Sequence, residues 1–128
     1  MEFPIILHGI VEHGRKLGSK MNIPTANIVP KEDVSGLAFG VYYSVVVIDG
    51  REYRSITNLG TKPTVNELDK INVETFIYDF EGDIYDEAII VKLLEYKRPE
   101  MRFESIELLF KQINEDLDAG RAYGLTKN

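Results

Sequence analysis

The sequence contains no cysteine. This absence excludes disulfide bridges, thiolate zinc sites and cysteine nucleophiles, and it fits a reducing compartment. The chain also lacks any run of the roughly eighteen apolar residues that a membrane-spanning helix needs. Its first residues carry no basic segment and are interrupted by Pro4, so they do not resemble a secretory signal. Together these absences predict a cytoplasmic protein that does not bind membranes.

Basic residues are fewer than acidic ones: the sequence has 15 Lys and Arg residues and 21 Asp and Glu residues, and its net charge is −6. Broad binding to nucleic acid needs a concentrated basic surface, so the composition argues against a nucleic-acid partner. A single bound nucleotide stays open, since a few local donors suffice for it. A length of 128 residues is typical of one domain with one core, and we expect residues 1–128 to form a single domain.

The dominant pattern along the chain has a period of two. β-Branched and aromatic residues form runs of strand length that are separated by Gly, Asp and Pro, which predicts at least five strands. These runs cover residues 5–11, 41–48, 52–58, 73–80 and 88–96. Asp49-Gly50 predicts a type I′ hairpin because both central residues of that turn need a positive φ. Glu81-Gly82-Asp83 predicts a second turn, between residue 80 and a strand that begins near residue 85.

Only the end of the chain has a helical period. Ser105 is a candidate N-cap and Gly120 a candidate C′ residue, and the apolar residues between them lie at helical spacing. These apolar residues are Ile106, Leu109, Phe110, Ile113 and Leu117. Short antiparallel strands followed by one amphipathic helix predict a mainly β protein, a small barrel with the helix outside it or over one end.

Glu74 is the most informative polar residue. Strand alternation places it on the same face as Phe76, Tyr78 and Phe80. Burying an ionised carboxylate costs several kcal/mol unless it is paired, so such a residue usually has a partner, a metal or a catalytic task. The alternative is a solvated position at the end of a strand.

Other segments give weaker signals, each with a structural alternative. His8 and His13 have odd spacing within one strand and its exit, so they do not form a chelating pair. Residues 14–20, G-R-K-L-G-S-K, are similar to a phosphate-binding loop without matching its motif, and taken alone the segment is better explained as an exposed flexible loop. Polar stretches at 22–28, 58–64 and 98–103 are candidates for ligand contacts, with turns or solvated loops as the alternative for the last two.

The order of these motifs resembles the riboflavin kinase family, in particular the C-terminal flavokinase domain of bacterial bifunctional FAD synthetases. The matching segments are G-I-V-E-H-G-R-K-L-G with I-P-T-A-N-I (9–28), G-V-Y (40–42), N-L-G-T-K-P-T (58–64), V-E-T (73–75), D-F-E-G-D-I-Y (79–85) and R-P-E-M-R-F (98–103). The resemblance covers nearly the whole chain. It implies a six-stranded antiparallel Greek-key β-barrel with a C-terminal α-helix.

The resemblance also implies an activity, the transfer of the ATP γ-phosphate to the 5′-hydroxyl of riboflavin to give FMN. Thr25 and Asn27 would bind Mg²⁺ and the nucleotide phosphates, and Glu74 would be the catalytic base. Oxygen ligands of this kind suit a hard cation. The implied nucleotide-binding residues are Gly14, Lys16, Gly18, Lys20, Pro24, Thr25, Asn27 and Asn58, and the implied flavin-binding residues are Arg98, Glu100 and Phe103.

This sequence departs from the family at two positions. Asn22 and Asp86 stand where the family usually has glycine. The family also implies an FMN adenylyltransferase module as a fusion or partner, and the chain alone is not expected to make FAD. The competing interpretation is a catalytically silent flavin-binding sensor or regulatory module, but such a protein needs neither magnesium ligands nor a base.

Overall fold

Six strands and one helix form the regular structure of residues 2–12, 25–62, 70–101 and 103–123, which are the residues that the computed structural model describes. The strands are β1 (Ile5–Ile10), β2 (Thr25–Ile28), β3 (Gly40–Ile48), β4 (Arg51–Lys62), β5 (Lys70–Ile77) and β6 (Ala88–Pro99), and the helix is α1 (Ile106–Ala122). No helix within these residues is long and apolar enough to cross a bilayer.

The strands form one antiparallel sheet in the order β1-β6-β3-β4-β5-β2. Three consecutive strands, β3 to β5, are neighbours, and β6 returns to lie beside β3, which is the Greek-key arrangement. The sheet curls so that its two edges approach, and the backbone N–H of Glu12 donates to the carbonyl of Asn27 at 2.8 Å. The predicted mainly β, Greek-key barrel with a C-terminal helix is confirmed.

Local turn chemistry sets the hairpins. Asp49 and Gly50 have φ values of 50° and 78° between β3 and β4, as the predicted type I′ turn requires. Asp79, with a φ of 56°, turns the chain just after β5, so this strand ends at Ile77 and not at Phe80. The next strand begins only at Ala88, so the connection is longer than the predicted Glu81-Gly82-Asp83 turn. Asp86 has a φ of 67°, a conformation that favours glycine and that aspartate tolerates.

Strand pairing extends further than the sequence pattern indicates. Residues 58–62 belong to β4, where they pair with 70–74, although their polar composition also suited a turn-rich loop. Arg98 and Pro99 belong to β6 and pair with β3. Thr25–Ile28 forms the sixth strand, β2, which is too short for a period-two signal. Ladder hydrogen bonds to long neighbouring strands outweigh the local Gly and Pro content in these segments.

Two apolar clusters lie on opposite faces of the sheet. The larger cluster fills the concave interior and includes Leu7, Tyr42, Val46 and Ile77. The smaller cluster packs the other face of the sheet against α1 and consists of Val41, Ile56, Phe76, Tyr78, Ile113 and Leu117. The helix therefore covers the outer face of β3, β4 and β5.

The start of α1 follows the prediction and its end does not. The Oγ of Ser105 accepts a hydrogen bond from the Leu108 N–H at 3.2 Å, so the predicted N-cap is confirmed. Gly120 is not the C′ residue, because the helix continues to Ala122 and is capped at Tyr123. A Cβ at Gly120 would collide with the hydroxyl oxygen of Tyr78, so this glycine serves close packing of the helix on the sheet.

Candidate active site

One row of side chains crosses the helix-covered face of the sheet. Residues directly opposite each other in antiparallel strands point to the same face. The pairings Asn27↔Glu74, Glu74↔Asn58, Asn58↔Val41 and Val41↔Arg98 therefore place these residues in a single row, which we call the polar row. It brings together four of the predicted site residues from distant parts of the chain: Asn27, Asn58, Glu74 and Arg98.

Strand alternation in β5 determines what surrounds Glu74. Phe76 and Tyr78 share its face and belong to the cluster under α1, as predicted. Phe80 does not share it, since the strand has already ended, and its ring packs edge-on against Tyr53 at 5.1 Å, beside the interior cluster. Glu74 is half-buried and has an interaction partner. The carboxylate thus lies beside an aromatic surface without being sealed in it.

A cavity of about 280 Å³ lies between the polar row and α1. Asn58, Glu74, Arg98, Glu100 and Asp116 are the ionisable or amide residues in its lining. Its apolar walls come from the sheet, the helix and the connection between them: Val41, Ile56, Phe76, Met101, Phe103, Leu109, Ile113 and Leu117. A cavity that is mostly apolar with a few convergent polar groups has the character of a small-molecule site.

Asn27 and Thr25 lie on β2, which pairs with β5, the strand that carries Glu74. Thr25 pairs with Phe76 and Asn27 pairs with Glu74, so both side chains face the site. Asn27 is only 7% exposed, and its Oδ1 accepts a hydrogen bond from Asn72 Nδ2 at 3.1 Å. A hydroxyl and a carboxamide are neutral oxygen donors of the kind that a hard cation accepts, and they fit Mg²⁺ that carries phosphate oxygens as further ligands. The described residues contain no cluster of three acidic or histidine side chains that would hold a metal alone.

Glu100 reaches across to β4. A Cβ at Gly60 would collide with its carboxylate, and the same Cβ position lies 3.5 Å from the Asn58 amide nitrogen. The absence of a side chain at Gly60 therefore makes room for Glu100 near the polar row. The family resemblance implied that Glu100 binds the flavin together with Arg98 and Phe103. In the structure all three residues line the cavity.

Arg98 and Lys97 both bind one carboxylate on the helix. Consecutive strand residues normally point to opposite faces, but a bulge at Lys97 breaks the β3–β6 register and lets both reach Asp116. Lys97 Nζ and Arg98 Nε each lie 3.0 Å from Asp116 Oδ1, and Arg98 Nη2 lies 2.5 Å from Oδ2. Residues 98–103 are therefore not simply a solvated loop, since their first member anchors α1 to β6.

Asp116 is a site residue that the sequence reasoning missed. Its signal was its spacing, because it follows Ile113 by one helical turn and so falls on the apolar face of α1. It is 5% exposed. Burial acts to raise its pKa, but hydrogen bonds from Arg98, Lys97 and Gln112 outweigh burial and hold the pKa below its ordinary value. Asp116 is therefore ionised at neutral pH and fixes the Arg98 side chain at the edge of the cavity.

Tyr78 joins the same face of the sheet to the end of α1. Its hydroxyl donates to the carbonyl of Leu117 at 2.5 Å, and the Arg121 guanidinium lies 4.8 Å from the centre of its ring. Burial raises the pKa of Tyr78 to about 12. Arg54 donates to the carbonyls of Gly120, Arg121 and Tyr123, which leaves the helix C-terminus bonded to β4.

Several predicted residues lie outside the described part of the chain. These are Gly14, Lys16, Gly18, Lys20 and Pro24 of the expected phosphate-binding segment, together with His13 and Asn22. His8 is described: its Nδ1 lies 2.6 Å from Glu32 Oε2 on an exposed surface, away from the polar row.

The fold and the site define a class of protein, a Greek-key barrel with a cavity of small-molecule size between its sheet and a covering helix. Within that class, the chain belongs to the riboflavin kinase family, because the family model described as "Riboflavin kinase" matches residues 1–124.

Similar proteins were found among curated relatives and among solved structures. The bifunctional riboflavin kinase/FMN adenylyltransferase of Pseudomonas fluorescens is 40% identical over 93% of this chain and 38% of its own length. A crystal structure titled as a macrolide-efflux protein from Streptococcus pneumoniae has a TM-score of 0.82 and 31% identity, over 94% of this chain and 40% of that one. A riboflavin kinase structure from Trypanosoma brucei has a TM-score of 0.61 and 22% identity, over 94% of this chain and 79% of that one, and shows the fold alone.

The chain spans less than half the length of the curated relatives that it matches. Several of those relatives carry an FMN adenylyltransferase in their names as well as a riboflavin kinase. The chain therefore belongs to the family through the riboflavin kinase part alone, and the adenylyltransferase activity belongs to the longer relatives.

Proposed function

We propose that this chain transfers the γ-phosphate of ATP to the 5′-hydroxyl of riboflavin and releases FMN and ADP. The observation that carries the proposal is the polar row, because Asn27, Glu74 and Asn58 lie in register beside a cavity with aromatic walls. A flavin ring needs a flat apolar space, and its ribityl chain needs polar groups at one end of that space. The apolar walls and the few polar groups in the lining of the cavity under α1 support such a placement.

Riboflavin would place its ring between Phe76 and Phe103, with its ribityl chain directed to Glu74. Arg98, held by Asp116, and Glu100, held over Gly60, would then contact the flavin from the end of β6. These positions make Arg98, Glu100 and Phe103 the flavin-binding residues of the proposal.

Glu74 would act as the base of the reaction. The oxygen of the ribityl 5′-hydroxyl forms a bond to the γ-phosphorus, its proton moves to the Glu74 carboxylate, and the bond between the γ-phosphorus and the β,γ-bridging oxygen breaks. ADP leaves with that oxygen. Positioning and charge neutralisation contribute most to phosphoryl transfer, so the fixed location of Glu74 next to Asn27 matters as much as its basicity.

Thr25 and Asn27 would hold the nucleotide side of the site. Their side chains face the same side of the sheet as Glu74, which would put a cation and the phosphates beside the attacking hydroxyl. Mg²⁺ supplies neutralisation of phosphate charge when it is bound. Gly14, Lys16, Gly18, Lys20 and Pro24 remain predicted phosphate contacts, together with Asn58.

The wider setting is also part of the proposal. We propose that residues 1–128 form one riboflavin kinase domain that works in the cytoplasm, without nucleic-acid or membrane partners, and that it is fused to or partnered with an FMN adenylyltransferase. The longer curated relatives support the last point, since their names combine the two activities.

Incubation of the chain with riboflavin, ATP and Mg²⁺, followed by chromatographic separation of riboflavin, FMN and FAD, tests the proposed activity. We expect FMN and ADP in equal amounts and no FAD. Riboflavin binding with no FMN would contradict the kinase and support a silent flavin-binding module, which no observation on the site favours at present.

A further inference from the structure

Asn72 contacts the polar row although no motif points to it. It lies on β5 two residues before Glu74, so both side chains face the same side of the sheet. Its Nδ2 donates to the Oδ1 of Asn27 at 3.1 Å. Opposite Asn72 on β4 is Gly60, whose missing side chain leaves room for the Glu100 carboxylate.

The hydrogen bond between the two asparagines determines how Asn27 presents its carboxamide. A buried amide needs partners for its polar atoms, and Asn27 is only 7% exposed. Among the described residues, Asn72 is the side chain whose hydrogen bond to Asn27 fixes the rotation of that amide. Asn27 can offer its remaining acceptor and donor sites to a ligand only if this rotation is kept.

Asn72 also has a polar atom without a partner. Its Oδ1 is fully buried, and no described residue donates a hydrogen bond to it. An orphaned buried acceptor destabilises the folded state. Turning both carboxamides over exchanges donor and acceptor but still leaves Asn72 with one unpaired polar atom. The fold thus carries a buried polar group at this place that none of the described residues satisfies.

We propose that Asn72 is a positioning residue of the nucleotide side of the site. It holds the Asn27 carboxamide for the nucleotide phosphates and their cation, and its own buried oxygen is paired, by the cation or by a water bound to the cation, only when the nucleotide is bound. The inference rests on the proposed function for the identity of the ligand. Asn72 lies outside the motifs, and it should favour nucleotide binding at the expense of the stability of the fold.

Asn72→Leu separates the two effects, because leucine is similar in size to asparagine and removes both the donor and the orphaned acceptor. We expect the melting temperature to stay equal or rise, since a buried unsatisfied group is lost. We expect the Kd for Mg-ADP, measured by calorimetry, to rise about 10- to 100-fold, the usual effect of losing a group that orients a ligand-binding side chain. Riboflavin affinity should not change, and the KM for ATP should rise by a larger factor than kcat falls.

Ser44→Ala is the matched control. Ser44 is a buried polar residue of the sheet interior whose hydroxyl is bonded to Ser55 and Thr57. Its loss should lower the melting temperature and leave the Kd for Mg-ADP unchanged, which is the reverse of the result expected for Asn72→Leu.

Unchanged Mg-ADP affinity in Asn72→Leu, with riboflavin still bound, would overturn the inference and leave the proposed kinase in place. If Asn72→Leu fails to fold, Asn72→Thr decides, because threonine suits a strand but its hydroxyl is too short to reach Asn27. Wild-type Mg-ADP affinity in that variant would overturn the inference equally. A wild-type chain that binds riboflavin but not Mg-ADP would contradict the proposed function itself, and the positioning role would fail with it.

Discussion

The two faces of the curled sheet differ in the surroundings of their polar side chains. On the concave face, Ser44, Ser55, Thr57 and Thr75 bond to one another through hydroxyl contacts of 2.7–2.9 Å. On the face under α1, the polar row and Asp116 border a cavity. The concave face satisfies its polar groups internally, so they serve the fold. On the helix-covered face, polar groups line a cavity, so a ligand in that cavity can contact them.

Among the described residues, buried charge lies on the helix-covered face of the sheet and not in the concave interior. No charged residue is fully buried among the described interior positions, whereas Asp116 is buried on the helix-covered face, where Lys97 and Arg98 both bind its carboxylate. Buried charges tend to be retained for orientation or specificity more than for net stability. The comparison therefore predicts that substitutions in the interior alter stability alone, whereas substitutions on the helix face can alter binding and catalysis as well as stability.

Glu74→Gln should give the largest effect. The amide keeps the size and polarity of the carboxylate but cannot accept the proton of the ribityl hydroxyl, so FMN formation should fall by roughly 10² to 10⁴. Riboflavin affinity should be retained. Steady-state assays and a riboflavin titration measure the two quantities. Glu52→Gln, at an exposed position on β4, is the matched control and should keep full activity. More than a tenth of wild-type turnover in Glu74→Gln would rule out Glu74 as the base.

Asp116→Asn should have the next largest effect, on stability. Asparagine cannot neutralise Lys97 and Arg98, whose side chains are each 18% exposed. Removing one partner of a fully buried ion pair costs about 3–5 kcal/mol, and partial exposure of the cations should reduce the cost here to about 2–3 kcal/mol. Urea unfolding measures it, with the exposed Asp118→Asn as control.

The same ion pair predicts an acid limb of stability. Because the folded-state pKa of Asp116 lies below its unfolded value near 3.8, its contribution is present above that pH and is lost as the pH falls through the folded-state pKa. The stability difference between wild type and Asp116→Asn should therefore be constant near neutrality and shrink in this acid range. A difference that does not depend on pH would show that Asp116 acts through packing and not through its charge.

Replacement of Asn27 or Thr25 by Ala should produce a smaller effect confined to the nucleotide. Each variant removes an oxygen donor next to Glu74, so the Kd for Mg-ADP should rise about tenfold or more while riboflavin still binds. Calorimetry with each ligand separates the two affinities. Normal Mg-ADP affinity and turnover in both variants would remove these residues from the site.

The features that were predicted from sequence are those that local chemistry determines. Asp49-Gly50 encodes its turn, Ser105 its cap, and alternation in β5 the face of Glu74 and Phe76. The motif resemblance supplied the sixth strand and the candidate site residues, but not the contacts among those residues. Register between β2 and β5 brings Asn27 to Glu74, and this depends on pairing between segments far apart in the chain.

Tertiary packing determines what the sequence did not reveal. The sequence does not identify the ion-pair partners of Asp116, because Lys97 and Arg98 both reach it only through the bulge in β6. Gly120 looked like a helix terminator because glycine is common there, whereas the approach of Tyr78 explains it. Asn72 belongs to no motif, and its unpaired oxygen exists only in the folded sheet.

Tyr78→Phe should have the smallest effect and a distinct pH dependence. The hydroxyl bond to the Leu117 carbonyl is lost, which should cost about 1 kcal/mol at neutral pH. Burial raises the pKa of Tyr78 from 10 to about 12, so the folded state favours the protonated phenol. This contribution is fully present below pH 10 and is lost as the pH rises toward 12. Urea midpoints across the alkaline range should therefore fall less steeply for Tyr78→Phe than for wild type. Tyr53→Phe, beside the interior cluster, is the matched control, and identical alkaline slopes for wild type and Tyr78→Phe would contradict a buried, neutral phenol under the helix.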